Sequence, residues 1–406
     1  MNPKRRSSTS RIVLYFVVLA LIIALAVAAF VLANRFLKTE KTPVITQAPE
    51  IDLIQEELDE MTLDEKIAQL LIVESNGVTV TDEMRANLPT RPYGGYILLA
   101  TDFGTHSATR SFIEQVQKLS KTTLIIATDQ EGGNVQRLKN VQGSTPTNIP
   151  YMYNVGQTGN TTLARNIGAV MAKEMRTMGF NVDFAPVVDV YSNPNNKVIG
   201  YRSFSSDPQI VSKMAIAVAA GLEENGVVAT YKHFPGHGDT STDSHYSLPV
   251  INRTRAQLDQ SDFVPFKNAI QQGAKVIMTG HIALPQITGD NTPATLSKKI
   301  TTDILRNEFG FDGLIVTDGL NMGALTKYYS ESDIYYRSIE AGADMLVLPL
   351  HPELAIQSIK EHISEARIDE SVYRILKFKK EYLSNYEYLD PSYFGKPEHA
   401  DSIKLN

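Results

Sequence analysis

The sequence predicts an α/β fold, a TIM-like (β/α)8 barrel preceded by one N-terminal transmembrane helix. Three observations carry this prediction. Short apolar runs recur along the chain with helix-like segments between most of them, polar residues gather at the C-terminal ends of several runs, and one much longer uncharged stretch lies near the N-terminus.

The long stretch comes first. Lys4, Arg5, Arg6 and Arg11 precede Ile12 to Ala33, 22 uncharged and mostly apolar residues, a length that spans a bilayer core of roughly 30 Å. The basic residues ahead of it outnumber Arg35 and Lys38 just behind it, which favours a cytoplasmic N-terminus. Residues 1–11 are therefore expected as a cytoplasmic basic segment, 12–33 as a signal-anchor and 34–50 as a linker. The expected location is the cell membrane, single-pass, with the folded part extracytoplasmic. A buried core helix is disfavoured because the stretch has no polar face. A cleaved signal peptide, giving a secreted protein, is the alternative: Ala26-Val27-Ala28 resembles a cleavage site, whereas the apolar run exceeds the roughly 7–15 residues of a signal core. TEKTPVITQAPE (39–50) is polar, holds two prolines and shows no apolar period, as a tether does.

The barrel domain is expected over 51–390. Thr62-Leu63-Asp64-Glu65 has capping-box spacing, and Ile67, Leu70 and Leu71 follow at helical intervals, which predicts a helix there. The runs YGGYILLA (93–100), TTLIIATD (122–129), NVDFAPVVDV (181–190), VVATYKHF (227–234), AKVIMTGHI (274–282), GLIVTDGL (313–320) and ADMLVLP (343–349) read as parallel strands buried on both faces. LLIVES (70–75) completes the eight that close a barrel, although it overlaps the helix just predicted. A doubly wound open sheet is the alternative. Asp129, Asp189, Lys232, His233, His281 and Asp318 stand at the C-terminal ends of different runs. Barrel enzymes build their sites on that face. The last helical pattern ends near Leu383, and 391–406 reads as a polar tail.

Composition narrows the chemistry. The 406 residues include no cysteine, so disulfides, thiolate metal sites and a cysteine nucleophile are excluded. The net charge is −6 while the first 11 residues carry +4, so the remainder carries −10. That balance argues against a nucleic-acid partner.

KHFPGHGDTSTDSH (232–245) concentrates the polar chemistry. His233 and His237 have the spacing of helical zinc ligands, but Pro235 and Gly236 between them oppose a helix. A loop-built metal site with Asp239, Asp243 and His245 is one reading, and histidines that merely cap a loop are another. Asp243 and His245, two apart in an irregular loop, can meet, so that the carboxylate orients the imidazole as a proton shuttle. Such a dyad needs an attacking partner. Asp318, before Gly319, is the obvious carboxylate, and it also reads as a helix N-cap.

KHFPGHGDTSTDSH followed by YSLP, together with DQEGGNVQRL (129–138), SNPNNKVIGYRSF (192–204) and VTDGLNMGAL (316–325), resembles the signature of the NagZ-type β-N-acetylglucosaminidases, a branch of the family-three glycoside hydrolases. The resemblance covers roughly residues 55 to 385. It implies that Asp318 is the nucleophile, His245 the general acid/base and Asp243 its orienting partner. It also implies that Asp129, Arg137, Arg202, Lys232 and His233 hold sugar hydroxyls, and that neither a metal nor an organic cofactor takes part. Two positions depart from many relatives: Gly319 replaces a second aspartate, and Asn134 replaces an arginine. The implied activity is retaining exo-cleavage of terminal non-reducing N-acetylglucosamine from cell-wall (peptidoglycan) fragments or related glycans, through a covalent glycosyl-enzyme. The glycines of PGHGD let the loop bend, so that the dyad enters the site when substrate binds. Glu131 is the nearest substitute acid should His245 not serve. The alternatives are a β-glucosidase of the same fold, a non-catalytic sugar-binding protein displayed on the membrane and a metal hydrolase. The expected partners are a carbohydrate substrate and the membrane.

Overall fold

The computed structural model describes residues 9–37, 52–240 and 242–405. Lys4, Arg5, Arg6 and the expected tether at 39–50 lie outside them. The N-terminal unit is one helix, Thr9–Leu37, of which Ile12–Arg35 is long and apolar enough to cross a membrane. Its large apolar residues from Ile12 to Leu32 are exposed on every side. An anchor and a signal sequence share this character.

The second unit, from Leu53 onward, is a closed barrel of eight parallel strands. They are β1 (Leu71–Glu74), β2 (Gly95–Ile97), β3 (Ile125–Thr128), β4 (Val182–Asp183), β5 (Val228–Phe234), β6 (Val276–Thr279), β7 (Leu314–Gly319) and β8 (Met345–Val347). Each strand pairs with the next in sequence, and β1 closes on β8 with Leu71 opposite Leu346 and Ile72 opposite Val347. Helices cover the outer face, and barrel side chains fill the inside, so the strands are apolar without alternation. All seven residues of β5 are buried, Lys232 and His233 among them.

The overlap between the predicted helix and β1 resolves at a single residue. Thr62 and Glu65 form the expected capping box, Thr62 N donating to Glu65 Oε2 at 2.8 Å. The helix runs Leu63–Gln69, Leu70 caps it, and β1 starts at Leu71. Most strand-to-strand connections carry a helix, and the longer ones, such as Thr161–Met178 and Pro208–Glu224, are the most extensively packed. The segment read as a polar tail docks: a short helix, Pro397–Ser402, buries His399, and Ile403 beyond it is buried too. Gly395 N donates to the buried Glu174 at 2.9 Å.

Candidate active site

The C-terminal ends of β3, β5 and β7 and the loops that follow β3, β4 and β5 converge. Asp129, Arg137, Arg202, Lys232, His233, His245 and Asp318 line one cavity of about 130 Å3, together with Glu131, His237 and Ser244. Of the residues given a catalytic or sugar-holding role from the sequence, only Asp243 stands off the lining, and it touches His245 directly.

One wall is a lattice of opposite charges. Lys232 Nζ lies 2.7 Å from Asp129 Oδ1 and 2.6 Å from Glu131 Oε1. Arg202 forks onto Glu131, Nε to Oε2 at 2.7 Å and Nη2 to Oε1 at 2.8 Å. Arg137 Nη2 lies 3.5 Å from Asp129 Oδ2. Lys232 and Glu131 are 2% and 3% exposed, a depth at which charges persist only when paired. Burial pushes the Glu131 carboxyl up, but Arg202 and Lys232 outweigh it and hold the group far below the usual carboxylate range. Burial likewise pulls the Lys232 ammonium down, and Asp129 and Glu131 more than restore it. Two cations thus favour Glu131 as an anion, which speaks against it as a substitute acid. It sits on a short hairpin, Gln130–Gly132 against Val135–Gln136, that periodicity does not reveal.

Asp189 organises the next wall. Fully buried, it accepts from His233 Nδ1 at 2.7 Å, from His237 N at 2.6 Å and from His233 N at 3.3 Å. Burial opposes its charge, yet the two histidines and these bonds keep its carboxyl below the ordinary value. The contact fixes the proton of His233 on Nδ1 and leaves Nε2 to the cavity. Sequence reasoning placed Asp189 at a strand end without a role. Its aspartate in DFAPVVDV was the available signal.

His237 serves the loop that carries the dyad. Its Nδ1 meets Thr240 Oγ1 at 2.7 Å and its Nε2 meets Ser244 Oγ at 3.1 Å. Burial lowers its pKa to about 4, so the ring is neutral and both nitrogens are spent on hydroxyls. Among the described residues no group of three or more His, Cys, Asp or Glu is arranged to hold a metal. Gly238 is required here, because a Cβ would lie 1.7 Å from Val190 O. Further on, Gly323 N donates to His245 O at 3.1 Å and Ala324 N to Ser244 O at 3.0 Å. The loop is thereby pinned to the segment that follows Asp318.

His245 itself meets Asp243 as anticipated. Its Nδ1 lies 2.7 Å from Asp243 Oδ1, which also accepts from His245 N at 2.9 Å. The imidazole side chain is 62% exposed, open for a ligand to reach Nε2. His245 already lines the cavity with Asp318 in this structure. Asp318 is the penultimate residue of β7 and accepts from Gly319 N at 2.8 Å. Burial raises its carboxyl, but His233, His281 and that backbone N–H hold it below its ordinary value. Asp318 is not an N-cap, since the next helix, Gly323–Thr326, begins after Met322. Of the two departures, Asn134 Oδ1 accepts from Tyr151 OH at 2.5 Å. A Cβ on Gly319 would stand 3.0 Å from Asn321 Oδ1 and 3.3 Å from Leu348 Cδ1.

The family described as "Glycosyl hydrolase family 3 N terminal domain" matches residues 62–378. The chain is 34% identical over 288 residues to "Beta-hexosaminidase A" of Pseudoalteromonas piscicida, an alignment that covers 67% of this chain and 48% of that relative. It is 35% identical over 291 residues to a "Beta-hexosaminidase" of Nitrosomonas eutropha, covering 70% of this chain and 82% of the relative. The chain thus spans about half the length of the first relative and most of the second. Among solved structures, a glycoside hydrolase family 3 beta-N-acetylglucosaminidase from Paenibacillus sp. is similar with a TM-score of 0.77 and 32% identity, over 84% of this chain and 68% of that one. The beta-glucoside phosphorylase BglX bound to 2FGlc reaches a TM-score of 0.78 at 27% identity, over 86% of this chain and 65% of the other.

Proposed function

The chain belongs to glycosyl hydrolase family 3, and from that premise we propose that it is a retaining exo-β-N-acetylglucosaminidase held outside the cell by its N-terminal helix. It removes terminal non-reducing N-acetylglucosamine from cell-wall fragments or related glycans. The observation that carries the reading is the meeting, in one cavity, of Asp318, His245 with Asp243 bonded behind it, and the charged lattice around Lys232. The relatives named beta-hexosaminidase support the sugar class.

The chemistry divides between the two groups. Asp318 Oδ attacks the anomeric carbon while the bond to the leaving oxygen breaks, and His245 Nε2 gives that oxygen its proton. A glycosyl ester on Asp318 results. His245 then takes a proton from water, whose oxygen attacks the same carbon and releases the sugar and the free carboxylate. Asp243 keeps the His245 proton on Nδ1 between steps, so that Nε2 faces the reaction. Asp129, Arg137, Arg202, Lys232 and His233 hold the hydroxyls, and a sugar missing one leaves a buried charge unanswered at about 1–3 kcal/mol. The barrel domain at 51–390 suffices for these steps.

Turnover of a chromogenic β-N-acetylglucosaminide beside the matching β-glucoside tests the reading. The N-acetyl substrate should lead in kcat/KM by about tenfold or more. Equal rates would make the protein a β-glucosidase, and no turnover of either would make it a sugar-binding protein.

A further inference from the structure

Arg253 is rooted in the frame of the barrel. It follows the buried Ile251, whose N–H donates to Ala283 O at 3.0 Å, and it precedes helix Arg255–Gln260. Its guanidinium meets three separate segments, one through each nitrogen. Nε donates to Asp239 Oδ2 at 3.0 Å, Nη1 to Asp262 Oδ2 at 2.7 Å and Nη2 to Ser192 Oγ at 2.9 Å. Asp239 belongs to the loop after β5, Ser192 to the loop after β4, and Asp262 stands directly before helix Phe263–Gln271. A planar fork answers all three at once, which the point charge of a lysine does not.

The partners are built for this use. Asp262 is 1% exposed and makes no capping bond to its helix, so its carboxylate goes to Arg253 instead. Gly236 of the β5 loop packs on it, since a Cβ there would lie 2.8 Å from Asp262 Cβ. Asp239 uses both oxygens, Oδ1 accepting from Ser192 Oγ at 3.3 Å while Oδ2 accepts from Arg253. Asn193 reinforces the same end of the loop, its Nδ2 lying 3.3 Å from both Asp239 O and Thr240 O. From there the path to the acid is short. Thr240 Oγ1 meets His237 Nδ1, and His237 Nε2 meets Ser244 Oγ beside His245. His237 thus binds the loop to itself, and Arg253 binds it to the barrel.

We infer that Arg253 is a positioning residue for the general acid: by holding Asp239 and Ser192 against Asp262, it fixes where the loop presents His245 Nε2. The inference rests on the reading of His245 as the acid. Arg253 does not itself line the catalytic cavity, so it acts through the loop and not on the substrate. A misplacement of about 1 Å in a reacting group costs up to roughly 100-fold. Here the cost falls on proton transfer, because Asp318 is placed separately by β7.

The test compares kcat/KM on a disaccharide of N-acetylglucosamine with that on a nitrophenyl N-acetylglucosaminide, for the wild type, Arg253→Met and His245→Ala. The assay pH is 7.5, above the value of about 6 to which burial raises the Asp262 carboxyl against the pull of Arg253. Arg253→Met keeps the aliphatic stem and removes the fork. It should lower the ratio of disaccharide to nitrophenyl turnover by about tenfold, and Arg253→Lys should lower it less, because part of the contact survives. Both rates come from one sample, so a loss of folded protein cancels from the ratio. Should Arg253→Met yield no folded protein, Asp239→Asn, which spares the buried Arg253–Asp262 pair, should lower the ratio by about threefold. An unchanged ratio in the variant that folds overturns the inference. If His245→Ala loses both rates equally, or the wild type turns over neither substrate, it is the reading of His245 as a glycosidase acid that fails. If His245→Ala separates the two substrates and the variant of the clamp does not, only the role of Arg253 fails.

Discussion

Among single residues, the outcome turns on which carboxyl groups are free to act. Asp318 and Glu131 are both buried at one cavity, but Glu131 is ion-paired directly to two cations, whereas Asp318 accepts a bond from a backbone N–H and is favoured as an anion by His233, His281 and, more weakly, Lys232. Glu131→Gln would leave Arg202 and Lys232 with a single carboxylate between them. Removing one partner of a buried pair costs about 3–5 kcal/mol, so urea unfolding should show a loss of that order. The variant's kcat/KM should fall by the same factor on good and poor leaving groups, because positioning, not proton supply, is damaged. A loss confined to poor leaving groups would instead make Glu131 the acid. The residues of the motifs were legible in the sequence, but their partners were not. Asp189 reaches His233 over 44 positions, Glu131 reaches Arg202 over 71, and Asp129 reaches Lys232 over 103. Such distant pairing follows from barrel closure, which local spacing does not encode.

For the elements, the strands were readable because burial on both faces writes each one as an unbroken apolar run. Helix Leu63–Gln69 and β1 read as overlapping only because their apolar residues are contiguous, and the break at Leu70 is set by capping. The hairpin at 130–136 and the docked C-terminal segment escaped, being too short and too polar to show a period. The loop from Pro235 to Ser247 was recognised by its chemistry, whereas the reason it holds its shape lies in His237. That ring has a folded pKa of about 4 against an ordinary value near 6.5. Between those values the unfolded chain binds a proton that the folded one refuses. Its stabilisation is therefore complete above about pH 6.5 and is lost as the pH falls toward 4, by roughly 2–4 kcal/mol in all. Urea midpoints at pH 7.5 and pH 5 should differ more for the wild type than for His237→Gln. An equal pH dependence in both would mean that His237 is not held neutral by the fold.

In the molecule as a whole, an acidic, closed barrel follows an apolar helix that fits both an anchor and a signal sequence. The basic residues ahead of Ile12 predict that the barrel faces outward. Protease added to intact cells should remove it, and complete protection would contradict this placement. Soluble protein beginning near Ala29 in the medium would identify a cleaved signal. That Asp318 and His245 divide the reaction between attack and proton transfer is tested most directly by measuring kcat/KM of Asp318→Ala and His245→Ala on a nitrophenyl glycoside and on an unactivated glycoside. Asp318→Ala should be nearly inactive on both. His245→Ala should be severely impaired on the unactivated glycoside, yet still release nitrophenol, which departs without a proton, at a measurable rate. An equal loss on both substrates in His245→Ala, or wild-type rates on both, would contradict the assignment.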